Sequence, residues 1–567
     1  MTHAHVVVEK NINNATVKML YKNLYKQLIT HSNFTFIFIY LLILITGLSI
    51  YKDFGISWDE PRSREIGLVT INHIQKVTGI KLFEIKENLP DLNNYIDKDY
   101  GSFFELLLII VEKIAKLKDT REIYLLRHLL TFITFWISTI AFYKIAKIIF
   151  NNNILALLAA LMLIISPRIF ADAFYNSKDL AFLSFFNITV YFLLKFLKTL
   201  SWKLLFTLSF FIAALVNIRL AGIIIFAIAI FLLLLPSTVT NIKENITNKI
   251  LKTLIFIILT ITFTILLWPY LWEDPLDRFT NALSTMTAFN RWDEQILYRG
   301  EFINPAPPPW HYIPTWIGIT TPVIYLLFFI IGIAFIFINL IKRPRAFLNI
   351  NNKAPHTILI LWIFIPYLST IILKSTLYDG WRQMYFIYPP IILIACYGIL
   401  SLLTFVKNKI YTKSNYYMLT TIIIIPLIIN ISIIISGMIK YHPNNQVYFN
   451  CLSPKNVSQK YELDYWGVSY KQLLEKLLEI DTSKEIKIKG LGFSAFANSF
   501  IIKPTDRVRL FYYLDDTIPK YFISNYRFKE NFYNYQKNIY PYENELYSIK
   551  SWGNKISGIY KLKNKKL

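Results

Sequence analysis

The sequence has only two cysteines, Cys396 inside an apolar run and Cys451 far along the chain, which supports neither a disulfide framework nor a cysteine metal site. It has no P-loop and no glycine-rich dinucleotide fingerprint, so a soluble nucleotide donor is not supported. His, Asp and Glu nowhere fall at convincing metal-ligand spacing; His73 and His311 read as structural. No secretory signal is evident. The first apolar run begins only at Phe34 and lacks a small-residue cleavage site, so it reads as a retained helix. An internal repeat of the transporter kind is missing. Missing too are the polar faces that a soluble protein of this length would show throughout.

In their place stand apolar runs of membrane-spanning length, in a chain of 567 residues that is 54% hydrophobic and 16% aromatic. The net charge of +24 does not call for a nucleic-acid partner. Much of the Lys and Arg falls in short loops between apolar runs, as cytoplasmic loops do. The fold class expected is therefore mainly α, a polytopic transmembrane protein of about eleven spans with membrane lipids as its surroundings.

Residues 1–33 are polar and basic, with Lys10, Lys18, Lys22 and Lys26, and read as a cytoplasmic segment. The membrane part, 34–438, has spans at about 34–50, 123–150, 154–170, 180–197, 202–217, 220–236, 251–268, 317–340 and 356–373, a tenth ending near Leu403, and an eleventh at 417–438. Interior loops carry Lys144, Lys147, Lys195, Lys198, Lys203, Lys243, Lys249, Lys252, Lys342, Arg343, Arg345, Lys407, Lys409 and Lys413. Two long outer loops remain, 52–121 and 269–315. In the first, Phe103, Leu107, Ile110, Ile114 and Leu117 recur at helical spacing, which predicts a helix lying in the membrane interface; Ile66, Val69 and His73 hint at another. Asp97-Lys98-Asp99 has the D-x-D shape of metal-nucleotide sites but, as a lone tripeptide, reads as a solvated loop. The second loop holds Trp272, Trp292, Trp310 and the run Pro305 to Pro309, cannot be a regular span, and is a candidate lid. The tail, 439–567, reads as a small outer α/β domain, with a helix over Tyr470 to Ile480 and strands near 485–489, 508–513 and 556–562.

Asp59, Glu60, Arg127, Asp172, Asp179, Arg219, Asp379 and Arg382 all fall at the outer edge of this topology, brought there by different spans. Any one alone fits a solvated helix end. Asp172 fits a helix cap equally well, and Arg382 fits simple pairing with Asp379 three residues earlier. Together they suggest one cleft with both signs of charge. A carboxylate there can act as general base toward an acceptor. Arginines make bidentate bonds to phosphate and stabilise it as a leaving group. Such a cleft suits transfer of a group from a lipid phosphate.

Trp58-Asp59-Glu60 after the first span resembles the first-loop acidic motif of GT-C glycosyltransferases. Leu126-Arg127-His128-Leu129-Leu130, Asn176-Ser177-Lys178-Asp179-Leu180-Ala181-Phe182, Tyr378-Asp379-Gly380-Trp381-Arg382 and Glu462-Leu463-Asp464-Tyr465-Trp466-Gly467 are similar to the same family, in its protein mannosyltransferase and aminoarabinose transferase branch. The resemblance implies a GT-C-like fold and inverting transfer from a polyprenyl-phosphate-linked sugar to an extracytoplasmic protein, lipid A or other envelope glycan, in a bacterial inner membrane with the site on its outer face. It makes Asp59 the catalytic base or acceptor-orienting acid, Glu60 its support and Asp179 the second-loop acid. Arg127 and Arg382, with Arg219 behind them, are the candidate phosphate contacts; Asp172 and Asp379 are candidate supports. No cofactor is certain, and a divalent ion, used by some relatives, stays open. The rival readings are a transporter or flippase of lipid-linked sugars, which would want charges in mid-membrane, and a non-catalytic envelope assembly subunit.

Overall fold

The computed structural model describes residues 32–85, 87–235, 246–287, 289, 291, 292, 294–342, 356–409, 413–512, 519–527 and 535–563. Nearly all of the basic amino-terminal segment, with Lys10 to Lys26, and the loop residues Lys243, Arg343 and Arg345 lie outside them, as do the side chains of Lys409 and Lys413.

Every expected apolar run is helical. The chain enters through α1 (Ser32–Ile50), crosses the first outer loop through α2 (Glu60–Thr78) and α3 (Phe103–Ile114), and continues through α4 (Thr120–Phe150), α5 (Asn153–Ile164), α6 (Pro167–Tyr175), α7 (Asp179–Thr199), α8 (Trp202–Val216) and α9 (Ile223–Leu234). Then come α10 (Ile246–Leu267), α11 (Pro275–Thr287), α12 (Tyr312–Thr320), α13 (Val323–Lys342), α14 (His356–Ile372), α15 (Tyr388–Lys409) and α16 (Lys413–Lys440). Among the described residues six helices are both long and apolar enough to cross a bilayer. The third expected span is instead a pair, α5 and α6, bent by 65° at Ile165-Ser166, where Pro167 takes the first position of the second helix and cannot donate into the turn before it. The runs at 34–50, 202–216, 220–234 and 357–372 are shorter apolar helices. At 1.5 Å per residue, a fifteen-residue helix is about 22 Å long, short of the roughly 30 Å hydrocarbon core. The α16 span is only 11% buried and the α10 and α13 spans 22%, so apolar side chains clothe the outside of the bundle, as a protein dissolved in lipid requires.

Charge is distributed along single helices. In α4, Arg127 and His128 lie near one end and the exposed Lys144 and Lys147 at the other, roughly 25–30 Å apart. In α7, Asp179 opens the helix while Lys195 and Lys198 are exposed at its close. Exposed lysines thus close both helices at the same sequence end, and in α7 they lie opposite a buried acid.

The interfacial helix expected from Phe103 onward is α3; of its stripe Phe103 is buried, and the helix also buries Phe104, Leu108 and Ile109. Leu107 and Ile114 are exposed, while Glu105 and Glu112 are buried and salt-bridged to Arg127 and Arg64. Its first amide, with that of Ser102 before it, finds its acceptor across the fold: the Asn217 carboxamide oxygen accepts from the Ser102 and Phe103 N–H groups at 3.1 and 3.2 Å, a cap supplied from another segment. Gly101 must be glycine, because a Cβ there would sit 1.8 Å from the Asn217 carbonyl oxygen.

The tail contains the expected helix as α17 (Tyr470–Ile480), and a five-stranded sheet. With β1 (Ile296–Tyr298) and β2 (Glu301–Ile303) forming a hairpin in the second outer loop, the tail strands are β3 (Ile486–Gly490), β4 (Leu510–Tyr512), β5 (Tyr521–Ser524), β6 (Glu545–Ser551) and β7 (Asn554–Lys561), ordered β4-β3-β5-β7-β6. The three strands expected from sequence are β3, β4 and β7; β5 and β6 are additional.

Asn498 fastens the tail to the membrane part. Its carboxamide accepts from the Ile56 N–H at 2.9 Å and donates to the Ile56, Gly467 and Ser494 carbonyls at 2.8–3.0 Å, fully buried. Asn498→Leu leaves the buried Ile56 N–H and carbonyl without partners and takes one donor each from the Gly467 and Ser494 carbonyls, and is expected to destabilise the protein by about 2–3 kcal/mol. Thermal melting of the detergent-solubilised full chain measures this; an unchanged midpoint would show that the carboxamide is not the fastening.

Candidate active site

The turn Gly55 to Pro61 is fixed before any ligand enters. Pro61 sits in the first turn of α2 and favours helix start at this point. The Glu60 carboxylate turns back to accept from the Ser57 N–H at 2.7 Å and lies 3.1 Å from His128 Nε2. The Trp58 N–H donates to the Trp466 carbonyl at 3.1 Å, and the Ser57 hydroxyl to the Tyr175 carbonyl at 2.9 Å. Asp59 occupies the N-cap position of α2 without capping it. Its carboxylate instead reaches Arg382, 3.2 Å away, and lines a cavity of about 320 Å³.

A second acidic turn meets the first. Asp172, Asn176 and Asp179 do not share one helix, since α6 ends at Tyr175 and α7 starts at Asp179. Asn176 bridges the break: its oxygen accepts from the Asp179 N–H at 2.8 Å, and its Nδ2 donates to Asp172 at 3.3 Å and Asp179 at 3.1 Å. Asp179 is then engaged by Arg219 and, at 2.9 Å, by Arg382. Asp172 accepts from the Tyr175 hydroxyl at 2.8 Å and the Trp466 indole at 3.3 Å, so it braces the turn and is no helix cap.

Arg382 is the meeting point. Its Nη1 serves Asp59 and Asp179, its Nη2 lies 3.3 Å from Asp379, and its guanidinium stacks over Trp466 and Tyr378 at 4.5 and 5.0 Å. Pairing with Asp379 alone is therefore excluded. Asp379 has a φ of +56° and is followed by Gly380 at +72°, a left-handed pair that turns its carboxylate back toward Arg382 and toward Arg527 of the tail, 2.6 Å away. Burial pushes the Asp379 carboxyl up, against the pull of Arg527 and Arg382.

Of the expected residues, Asp59, Arg219 and Arg382 line the cavity. Asp179 and Asp379 stand directly behind the arginines. The fold does not bring Glu60, Arg127 or Asp172 to the cavity wall. Arg127 is buried in an ion pair with Glu105, which also accepts from the Ser177 hydroxyl at 2.7 Å, so it stands apart from any phosphate entering the cavity.

Several cavity residues escaped the sequence. Lys178 lines it, with its ammonium 3.3 Å from the centre of the Tyr100 ring. Burial, aided by Arg219, pushes that ammonium down to about 7. Asp97 and Asp99 are not solvated: both are buried, both are bridged to Arg291 of the second outer loop, at 3.1 and 2.8 Å, and Asp97 also meets Arg62 at 2.5 Å. Trp292, next in that loop, stacks on Tyr378 with ring centres 4.4 Å apart. Lys178 stood inside a family-like motif without a role of its own, and the only sequence signal for Asp97 and Asp99 was spacing, which pointed to a loop. Among the described residues no three of His, Cys, Asp and Glu converge on one point. The carboxylates at the cavity are held by guanidinium groups, a donor set that does not fit a divalent ion.

Fold and site define a multi-pass membrane protein with a charge-lined cavity at one end of its helices. A family model described as dolichyl-phosphate-mannose-protein mannosyltransferase matches residues 106–268, a minority of the chain that includes Asp179 and Arg219. The resemblance to GT-C glycosyltransferases is thereby borne out. No curated protein matches the chain. Among solved structures, the chain is similar to ArnT from Cupriavidus metallidurans bound to undecaprenyl phosphate, at 11% identity over 94% of this chain and 98% of that one, with a TM-score of 0.45. It is also similar to an oligosaccharyltransferase of Archaeoglobus fulgidus in the apo form, at 10% identity over 83% of this chain and 64% of that one, with a TM-score of 0.46.

Removing the Arg382 charge leaves two carboxylates, Asp179 and Asp379, that are 1% and 0% exposed, with one arginine each, Arg219 and Arg527. Arg382→Met is therefore expected to cost about 3 kcal/mol of stability, much of it the cost of under-compensated buried charge. A double variant with Asp179→Asn should recover part of the loss in thermal melts. Strict additivity of the two substitutions would deny the pairing.

Proposed function

We propose that this chain is an integral-membrane glycosyltransferase that moves a sugar from a polyprenyl-phosphate-linked donor to an acceptor on the extracytoplasmic face. What supports this most directly is one cavity with two chemistries. Asp59, Lys178, Arg219 and Arg382 line one part of it, while Ile223, Ile224, Pro366, Leu373, Met384 and Phe386 line another. Such a space suits a ligand that carries a phosphate and an apolar chain, and its volume lies at the lower end of small-molecule sites.

In the mechanism that follows, the donor phosphate lies against the cationic wall and the isoprenoid against the apolar one. An acceptor hydroxyl or amine approaches the anomeric carbon from the face away from the phosphate. Asp59 takes its proton as the new glycosidic bond forms and the bond to phosphate oxygen breaks, a single displacement that inverts the anomeric centre. The cations stabilise the charge left on the phosphate, which needs electrostatic help more than a proton. Asp59 suits the base because its side chain is 28% exposed, against 1% for Asp179. Asp179 and Asp379 position the arginines, and Glu60 fixes the turn that carries Asp59. The exposed lysines at the far end of α7 from Asp179, and at the closing end of α4, support placing the cavity outside a bacterial inner membrane, with the lysine-rich ends in the cytoplasm. The acceptor is a protein, lipid A or another envelope glycan.

Asp59→Asn keeps the size of the side chain and removes the base. Transfer from a polyprenyl-phosphate sugar in membranes is expected to fall about 10²–10⁴-fold, with the melting midpoint kept. Glu60→Gln should lose stability first, through the Ser57 and His128 contacts. Normal transfer by Asp59→Asn at normal protein levels refutes the assignment.

A further inference from the structure

The arginines around the cavity are already committed. Arg382 holds Asp59, Asp179 and Asp379; Arg219 holds Asp179; Arg527 holds Asp379. Three aspartates thus face three arginines. To bind a phosphate in full, either cavity arginine would have to loosen a carboxylate. Lys178 differs. It lines the same cavity, and among the described residues no carboxylate is within salt-bridge distance of its ammonium, which rests on the face of Tyr100 at 3.3 Å. It is the surplus cation, standing where the apolar wall begins at Ile218 and Leu220.

We infer that Lys178 is the cavity cation that takes up the phosphate of the incoming donor. This rests on the polyprenyl-phosphate reading above. A cation–π contact compensates a buried ammonium only in part, and burial holds it near 7. An anion arriving beside it restores the charged form, so binding and proton uptake are coupled. The charged and titratable groups that share the cavities around Lys178 are Tyr100, Tyr378, Glu60, Glu105, Asp59, Asp99, Asp179, Arg219 and Arg382. Glu105 is bound to Arg127 and Ser177, Glu60 lies against His128, the three aspartates are paired with arginine, and burial pushes both tyrosines up. Affinity for phosphate therefore falls as pH rises through the ammonium's free value.

The test uses the purified full chain in detergent and undecaprenyl monophosphate as the probe, with neither sugar nor acceptor. Kd is measured at about pH 7 and about pH 9, a range in which a phosphate monoester stays dianionic. The wild type is expected to bind at least about tenfold more weakly at the higher pH. Lys178→Met should bind at least about tenfold more weakly than wild type at the lower pH and show no such slope. Glu462, which burial pushes up to about 7, lies behind Arg527; a slope retained in Lys178→Met would assign the effect to it and overturn the inference. So would Lys178→Met binding at wild-type strength, or a wild type without a slope. Failure of the wild type to bind the probe at either pH would overturn the donor reading itself.

Discussion

One guanidinium carries the architecture of the cavity. Arg382 is 1% exposed and touches carboxylates from three segments that are far apart in sequence, Asp59 after the first helix, Asp179 at the head of α7 and Asp379 in its own turn. Burying any of these charges alone costs several kcal/mol, which their attraction offsets only when the geometry is close and the remaining donors are satisfied. A planar fork that turns its two terminal nitrogens to three carboxylates comes nearer to that condition than an ammonium does. The stacking of Arg382 on Trp466 adds the tail to the same arrangement, and Arg527, bound to Asp379 and to the Tyr465 carbonyl at 2.6 Å, closes it from the tail side. The arrangement around Arg382 therefore takes in the tail as well as the membrane part, and Asn498 ties the two together at Ile56.

Much of this was legible before any coordinates. Long apolar runs and basic loops locate the spans, because bilayer thickness and interfacial charge act on composition directly. The same topology gathers the acids and arginines at one edge. What it cannot supply is partnership. Arg127 looked as well placed as Arg382, since both start a helix at that edge; only packing shows that α3 turns Glu105 inward to meet it. The stripe through Phe103 and Leu107 announced a helix in the interface, but a period gives a face and not its direction. Leu107 and Ile114 turn outward, while Phe103 turns in together with both carboxylates, Glu105 and Glu112. Asp97 and Asp99 were lost for a related reason: their partner Arg291 lies in the other long loop, and no local pattern joins the two. β5 and β6 are short and rich in Tyr, Ser and Lys, without clean alternation.

The three aspartates form a gradient of access: Asp379 is 0% exposed, Asp179 1% and Asp59 28%. Fixed anions behind the arginines hold those cations in place against mutual repulsion. The carboxylate nearest the open space is bound most loosely, through one contact of 3.2 Å, and keeps lone pairs free. Acid residues of equal charge thus differ in use because their depth differs.

Arginine and lysine divide along the same line. A guanidinium keeps its proton under all ordinary conditions, so it can be buried only among permanent counter-charges, and the cavity arginines have them. An amine can give up its proton when its counter-ion is absent. That makes lysine the one cationic side chain that tolerates an empty, half-dry cavity without an acid of its own. Tyr100 offers such a lysine a resting place that does not compete with an anion, because an aromatic face attracts the ammonium without neutralising it. A cavity that must alternate between empty and anion-bound states gains from having both kinds, arginines to keep its shape and one lysine to change with its contents.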